Sequence, residues 1–381
     1  MLLRLEARTF RFGVGIGIPS REWYNIILTA GLRLDNFGSA SILRRVCVRV
    51  DELARLSGVS RATVSRVING GSVSDKTRRR VEHMLAETGY RPNLAARTLA
   101  SGKSGVVGIV MHIDPHLLFR DAYFGQLLQG MSDELVDLAA GMMLWLGNRT
   151  KEQTLDNILS TGLVDGVIVT AHYREDPLVD GLLASHLPTV LVGHRRHDRT
   201  ASYVDVDHVH AADIVTTHLV QIGRTRVGHI TGMRGTVAAE DRIAGYRRAM
   251  ERAGLSCDEM IVDGDFNAPS GVTGAAVLLD RHCDAIFCAN DATAMGALET
   301  IRARGLAVPD DVALAGFDDL EFSARLDPPL TTVRQGVREQ GAEAARTLFQ
   351  LIADRDGPPR RVILPTELVI RQSTVGGVRR P

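Results

Sequence analysis

The stretch GVSRATVSRVINGG, residues 58–71, is a short amphipathic segment that ends at two glycines. Val64, Val67 and Ile68 follow the spacing of one helix face, whereas serine, threonine and arginine occupy the other face. The sequence SGVS separates this segment from an earlier apolar face with the same i, i+3, i+4 spacing, formed by Val50, Leu53 and Ala54. The pattern predicts a helix, a tight turn and a second helix.

Capping residues are suited to fix the ends of these helices and of a third one. Ser60 can cap the second helix because its hydroxyl can accept a hydrogen bond from a free backbone N–H. Asn69, Gly70 and Gly71 can supply left-handed conformations at the end of the second helix. Ser74 can cap a third helix, which ends at Gly89. Three short helices with a glycine in the first turn predict an all-α helix-turn-helix domain over residues 48–90.

The polar face of the second helix carries Arg61, Ala62, Ser65 and Arg66. In a helix-turn-helix domain this helix lies in the DNA major groove, where arginine can donate two hydrogen bonds to guanine and short side chains allow a close approach. The alternative is a solvated helix on an ordinary helical bundle. Local charge favours DNA, because residues 51–104 hold ten basic and five acidic residues whereas residues 105–381 hold 27 and 37.

Residues 50–104, VDELARLSGVSRATVSRVINGGSVSDKTRRRVEHMLAETGYRPNLAARTLASGKS, resemble the DNA-binding headpiece of the LacI/GalR transcription regulators. The resemblance implies that residues 91–104 form a hinge helix on operator DNA, with Leu99 wedged into the minor groove. Leu99 could instead be a core residue. The candidate DNA-binding residues are Ser60, Arg61, Ala62, Thr63, Ser65, Arg66, Asn69, Asn93, Arg97 and Leu99.

The rest of the chain alternates short apolar runs with helical patterns. VVGIVM, DGVIVTA and PTVLVG belong to a first set of strand-length runs, and VGHITG, DAIFCAN and VALAGF belong to a second set. Near-continuous apolar strands between helices indicate parallel sheets that are covered on both faces. The two sets therefore predict an α/β core of two doubly wound parallel-sheet subdomains over residues 105–375.

The core resembles the effector-binding half of the same family, which is similar to periplasmic sugar-binding proteins. Segments such as RIAGYRRAM and LPTELVIRQST carry this resemblance. It implies three crossings between the subdomains, which we place near Val206, Thr332 and Pro365. The N-subdomain is then expected at 105–206 and 333–365 and the C-subdomain at 207–332, with the end of the chain unassigned.

Five polar residues are candidates for ligand binding in the cleft between the subdomains. Arg242, Asn290 and Asp318 fall at or near predicted strand ends, and together they can bind hydroxyl groups in pairs. The resemblance adds Gln335 and His194, and His194 departs from the family pattern because many sugar-responsive members have aspartate there. The alternative interpretation is a helix-start ion pair for Arg242 and a turn cap for Asp318.

These features predict a cytoplasmic, homodimeric repressor whose operator affinity responds to a small carbohydrate. We expect no catalytic site, cofactor or metal site, because no catalytic or phosphate-binding motif occurs at a strand–helix junction and the four cysteines lack metal-ligand spacing. We also expect no membrane segment.

Residues 1–45 fit no element of the pattern and are expected to be a poorly ordered extension. The rival hypothesis is a sugar-binding receptor without DNA function.

Overall fold

The computed structural model describes residues 50–68, 71–90, 103–111, 113, 115–147, 150–195, 198 and 200–375. By their contacts the residues divide into two compact units, with the boundary between Ala96 and Arg97. The prediction for the extension at 1–45 lies outside the described residues, and so does the prediction for the hinge at 91–104 except at Lys103 and Ser104. No helix in the described ranges is long and apolar enough to cross a membrane.

In its described residues the N-terminal unit contains three helices, α1 (Val50–Ser57), α2 (Arg61–Ile68) and α3 (Asp75–Thr88). The predicted caps of α3 are confirmed, since Ser74 Oγ accepts a hydrogen bond from the Thr77 N–H and Gly89 adopts a left-handed φ of 62°. Apolar side chains from all three helices form one small core, and its fully buried members are Leu53, Val64 and Val81. This arrangement is a helix-turn-helix domain.

The C-terminal unit alternates strands with helices. Its strands are β1 (Val106–Met111), β2 (Gly141–Leu146), β3 (Gly166–Thr170), β4 (Thr189–Val192), β5 (Ser202–Val206), β6 (Val227–Ile230), β7 (Ile261–Val262), β8 (Ala285–Cys288), β9 (Ala313–Ala315), β10 (Thr332–Arg334), β11 (Arg361–Leu364) and β12 (Glu367–Val369). Its helices are α4 (Pro115–Arg120), α5 (Ala122–Asp137), α6 (Lys151–Thr161), α7 (Pro177–Ala184), α8 (His208–Gln221), α9 (Val237–Arg252), α10 (Ala268–Asp280), α11 (Asp291–Ala303) and α12 (Val337–Ala353), and 3-10 turns lie at Asp258–Met260 and Glu321–Arg325.

The strands form two parallel sheets, as the apolar runs predict. A six-stranded sheet has the order β11-β5-β4-β3-β1-β2, and a four-stranded sheet has the order β7-β6-β8-β9. Helices α5 and α12 pack on one face of the six-stranded sheet, and α6 and α7 pack on the other. Helices α8 and α9 cover one face of the four-stranded sheet, and α10 and α11 cover the other.

The C-terminal part of the chain contacts both sheets. Strand β10 pairs antiparallel with β12, and Val333 of β10 is buried in the core beside the four-stranded sheet. After β10 the chain enters α12, which packs on the six-stranded sheet. After β11 the chain returns to the four-stranded sheet, where the Leu314 N–H donates a hydrogen bond to the Ser373 carbonyl oxygen at 2.9 Å.

Candidate functional site

Helix α2 presents a polar, solvent-exposed face. Its start is held by Ser60, whose Oγ accepts a hydrogen bond from the Thr63 N–H at 3.1 Å. Thr63 is half-buried, and the exposed candidates on this face are Ser60, Arg61, Ala62, Ser65 and Arg66. The opposite face is buried through Val64 and Val67. One face of α2 therefore packs against the domain, and the other is free to approach a nucleic acid.

The two arginines of α2 have different surroundings. Arg61 lies 3.6 Å from the carboxylate of Asp51 on α1, with both side chains largely exposed, and such a solvated pair holds an arginine only weakly. The Arg66 backbone carbonyl accepts a hydrogen bond from the Gly71 N–H at 2.7 Å, while its side chain is exposed. The other candidates, Asn69, Asn93, Arg97 and Leu99, lie outside the described residues.

Arg242 is the centre of a buried polar site in the C-terminal unit. It lies on α9 and is 3 % exposed, and its guanidinium carbon is 3.7 Å from the centroid of the Phe317 ring. The guanidinium donates to the Ala289 carbonyl at the end of β8 and lies 3.8 Å from an Asp318 oxygen. Burial lowers the pKa of Arg242, although the nearby Asp318 carboxyl raises it. Stacking on an aromatic ring holds the guanidinium in one orientation.

Asp318 and Gln335 meet beside this arginine. The Gln335 side-chain amide donates to Asp318 Oδ1, and the Asp318 N–H donates to the Val333 carbonyl at 2.8 Å. Asp318 has a φ of 114°, a conformation that costs free energy for a residue other than glycine and is found most often at functional sites. Burial raises the pKa of the Asp318 carboxyl well above its usual range, against the lowering effect of Arg242.

Asn290 is buried at the start of α11 and acts as its N-cap. Its Oδ1 accepts hydrogen bonds from the Thr293 N–H at 2.9 Å and from the Thr293 hydroxyl at 2.7 Å. Its amide group donates to the Phe266 carbonyl at 2.9 Å. Asn290 therefore lies at the predicted strand end, but its side chain already has protein partners on both polar atoms. In this conformation it positions α11 and Phe266.

His194 follows β4 and bonds to two buried carboxylates. Its Nδ1 lies 2.7 Å from Asp205 Oδ2, which also accepts the His194 N–H at 2.8 Å. Its Nε2 lies 3.4 Å from Asp241 Oδ2 on α9. Burial raises the pKa of Asp205, but His208 and the hydrogen bonds from His194 outweigh this effect and lower it overall. His194 thus connects the end of β4 to a helix that covers the four-stranded sheet.

The sequence analysis did not predict several residues of this site, among them Asp205, His208, Phe266 and Phe317. His208 Nε2 lies 3.2 Å from Asp205 and its Nδ1 is 3.5 Å from Arg242, so it joins the two halves of the polar network. Phe266 has a φ of 54°, and its ring centroid is 5.6 Å from the Arg242 guanidinium. The position of His208 directly after β5 was an available signal, because ligand-facing groups cluster at the carboxyl ends of parallel strands.

Across the described parts of the chain, no group of three or more histidine, cysteine, aspartate or glutamate side chains is arranged to hold a metal ion. Arg242 lies beside Asp318, which bonds to Gln335, and Arg242 also donates to the carbonyl of Ala289, the residue before Asn290. His194 reaches Arg242 through Asp205 and His208. The site offers fixed hydrogen-bond donors and acceptors in a buried setting, which is an arrangement suited to binding a polar small molecule.

Comparison with known proteins assigns both units. Residues 49–93 match the family described as bacterial regulatory proteins, lacI family, and residues 216–374 match the periplasmic binding protein-like domain. The HTH-type transcriptional regulator CelR of Thermobifida fusca is 36 % identical over 87 % of this chain and 99 % of its own length. The HTH-type transcriptional regulator DegA of Bacillus subtilis is 33 % identical over 85 % of this chain and 97 % of its own length.

Two solved structures resemble this chain over most of its length. A structure of a CelR–cellobiose complex superimposes with a TM-score of 0.68 at 34 % identity, covering 86 % of this chain and 100 % of the other. The lac repressor dimer bound to operator and the anti-inducer ONPF superimposes with a TM-score of 0.78 at 28 % identity, covering 86 % and 99 %.

A helix-turn-helix domain followed by a periplasmic-binding-protein-like core defines a class of bacterial transcription regulators. This chain belongs to the LacI family of that class and is a DNA-binding transcription regulator. The predicted family and fold class are thereby confirmed, and the hypothesis of a receptor without DNA function is not supported.

Proposed function

We propose that this protein is a homodimeric repressor that acts in the cytoplasm and that a small carbohydrate bound at the Arg242 site changes its operator affinity. The observation that supports the ligand proposal is the burial of the Arg242 and Asp318 side chains beside each other, with one N–H of Arg242 left without an acceptor. Arg242 Nε is buried and has no hydrogen-bond partner in the described part of the chain, and the buried Asp318 lies beside it. A buried N–H without a partner is costly, and a ligand hydroxyl between these groups satisfies both.

The ligand class follows from the mixture of groups at this site. Asp318 accepts, Arg242 donates, and the Phe266 and Phe317 rings supply apolar surface beside them. A polyhydroxylated molecule offers paired donors and acceptors with an apolar ring face, so it complements this set. The similar CelR structure contains cellobiose, which makes a disaccharide the first probe to test. Arg242, Asp318, Asn290, Gln335 and His194 are the proposed ligand-binding residues.

The DNA-binding proposal assigns base contacts to the exposed face of α2. In this proposal Arg61 and Arg66 read guanine edges, and Ser60, Ala62, Thr63 and Ser65 pack against bases and phosphates. The exposure of both arginines on α2 supports this assignment. Asn69, Asn93, Arg97 and Leu99 keep the roles that the family resemblance implies. The similar lac repressor structure is a dimer bound to operator, and two half-sites at fixed spacing require two headpieces. A two-fold dimer of this chain meets that requirement.

We propose no enzymatic activity for this protein, because the polar groups of the site are arranged around an arginine and an aspartate without a paired nucleophile and base. The curated relatives named above are transcription regulators. The polar face of α2 favours the regulator over the receptor hypothesis, since a pure sugar receptor needs no helix that reads DNA.

The experiment is a selection from a random duplex library followed by ligand titration. We expect the full chain to enrich a palindromic sequence, and cellobiose or a related disaccharide to change its affinity for that duplex. Arg242→Ala should bind the same duplex with unchanged affinity and should lose the response to the sugar. Enrichment of no sequence would overturn the regulator proposal, and a full sugar response in Arg242→Ala would overturn the ligand assignment.

A further inference from the structure

Asp165 fixes the point at which the chain enters the C-terminal unit. Its Oδ1 accepts hydrogen bonds from the Ser104 N–H at 2.6 Å and from the Ser104 hydroxyl at 3.0 Å, and its Oδ2 accepts the Gly105 N–H at 2.8 Å. Ser104 is only 4 % exposed. Its hydroxyl also accepts the Val106 N–H at 3.1 Å. These hydrogen bonds hold the chain to the core from Ser104 onward, and Ser104 is the last residue of the segment 91–104 that is predicted to form the hinge.

Asp165 is also tied to the middle of the six-stranded sheet. It immediately precedes β3, which pairs with β1 on one side and with β4 on the other. Its own N–H donates to the Val106 carbonyl at 2.8 Å, and the Gly105 carbonyl accepts the Gly141 N–H at 2.8 Å. A rotation of this sheet moves Asp165, and Asp165 moves Ser104 and Gly105 with it.

The second half of the core repeats the same arrangement at a place where no DNA-binding segment is attached. Asp284 immediately precedes β8, the partner of β6, just as Asp165 precedes β3, the partner of β1. The Asp284 carboxylate accepts the Thr225 N–H at 2.9 Å and the Arg226 N–H at 3.0 Å. Both aspartates are half-buried. The two carboxylates therefore accept the same pair of backbone hydrogen bonds, although Ser104 is buried whereas Thr225 and Arg226 are exposed.

We propose that Asp165 is a positioning residue for operator binding, because it sets where the segment that leads to the DNA-binding helices leaves the core. This inference rests on the proposed operator binding. A dimer that binds two half-sites must present its headpieces at a fixed spacing. If Ser104 and Gly105 lose their hydrogen bonds to Asp165, the backbone at each attachment point gains conformational entropy. This entropy is lost again when the operator complex forms, which weakens binding.

The test compares Asp165→Asn with Asp284→Asn in the full chain. Asparagine keeps the size of the side chain, but its NH2 group cannot accept a hydrogen bond, so each variant leaves one backbone N–H without its acceptor. Anisotropy titrations use the duplex that the wild type enriches from a random library. We expect Asp165→Asn to lose about tenfold in affinity, the effect of a charge-assisted hydrogen bond, and Asp284→Asn to stay within about twofold. The melting temperatures of the two variants measure the loss of fold stability separately, and both variants should stay folded at the temperature of the titration.

A second variant, Ser104→Ala, removes only the hydroxyl bonds at the same attachment point. We expect a loss of about threefold on the selected duplex, the effect of one neutral hydrogen bond, with little change on a random duplex. Wild-type affinity in both Asp165→Asn and Ser104→Ala would overturn the inference, as would an equal loss in Asp284→Asn. A wild-type chain that enriches no sequence overturns the proposed function and this inference with it.

Discussion

At the scale of single residues, two carboxylates of the same site have opposite protonation preferences. Burial raises the pKa of Asp205, but His208 and the hydrogen bonds from the ring and backbone of His194 outweigh this effect and lower it overall. Asp205 also accepts a hydrogen bond from the Val206 N–H. Asp318 receives one side-chain hydrogen bond among the described residues, from Gln335, and burial raises its pKa. Protein groups therefore already occupy the oxygens of the ionised Asp205, whereas Asp318 can still accept a hydrogen bond from a ligand.

Arg66, on the exposed face of α2, leads to a prediction about DNA binding at the same scale. Arg66→Ala should weaken binding to the selected duplex by about 1–3 kcal/mol through the loss of a base-edge contact, while non-specific binding changes much less. Arg55→Ala is the matched control, since it removes an equally exposed arginine from the last turn of α1. Anisotropy titrations on selected and random duplexes measure both effects. Equal losses on the two duplexes would exclude base reading by Arg66.

At the scale of elements, sequence patterns located the helices but misjudged some of their ends. The pattern of apolar residues predicts a helix from Phe124 to Ala140, whereas α5 starts at Ala122 because Asp121 accepts the Tyr123 N–H as an N-cap. It ends early because Ala139 adopts a φ of 52°. The apolar run MIVDGDF, residues 260–266, also predicts a strand, but β7 contains only Ile261 and Val262, and Phe266 has a φ of 54°. Caps and left-handed residues depend on local geometry that hydrophobic spacing does not encode.

Contacts between distant segments explain the other differences. Strand β11 joins the six-stranded sheet beside β5, and the sequence places the two about 150 residues apart with no signal of their pairing. The role of Asp205 was missed for the same reason, because its partners His194 and His208 come from different elements. Arg242 and Asp318 were expected in one site because they lie in the recognisable segments RIAGY and GFDD, and the structure brings them within 3.8 Å of each other. Their role in ligand binding stays a prediction.

The close packing of α5 against α12 yields a prediction at the element scale. A Cβ atom on Gly130 would lie 1.8 Å from the Arg338 carbonyl oxygen, a backbone atom that cannot rotate away. Gly130→Ala should therefore destabilise the fold by about 1–3 kcal/mol, as overpacking does in other cores. Gly125 lies on the same helix, and a Cβ atom added there would have no neighbour within 4 Å, so Gly125→Ala should stabilise by about 0.5–1 kcal/mol. Urea unfolding measures the free energy of unfolding of both variants. Equal changes in Gly130→Ala and Gly125→Ala would contradict the close contact between α5 and α12.

At the scale of the whole molecule, stability against pH sums the contributions of all buried titratable groups. Burial lowers the pKa of His229 to about 4, and burial raises the pKa of Asp291 to about 6. As the pH falls, the unfolded chain takes up a proton at His229 first, which destabilises the folded state. The folded state takes up a proton at Asp291 first, which stabilises it. The two effects oppose each other, so the curve of the wild type does not separate them.

His229→Phe separates the contributions, because phenylalanine keeps the ring between Tyr246 and Phe287 but cannot titrate. In the folded wild type the His229 ring is fully buried and its Nε2 has no partner among the described residues, so protonation there is opposed until about pH 4. The unfolded chain binds the same proton near pH 6.5. The stability of the wild type minus that of His229→Phe should therefore fall by about 3 kcal/mol between pH 7 and pH 4. Urea unfolding at both pH values measures this difference, which excludes Asp291 because both proteins contain it. A difference that stays constant with pH would show that His229 can be protonated in the folded state as readily as in the unfolded chain.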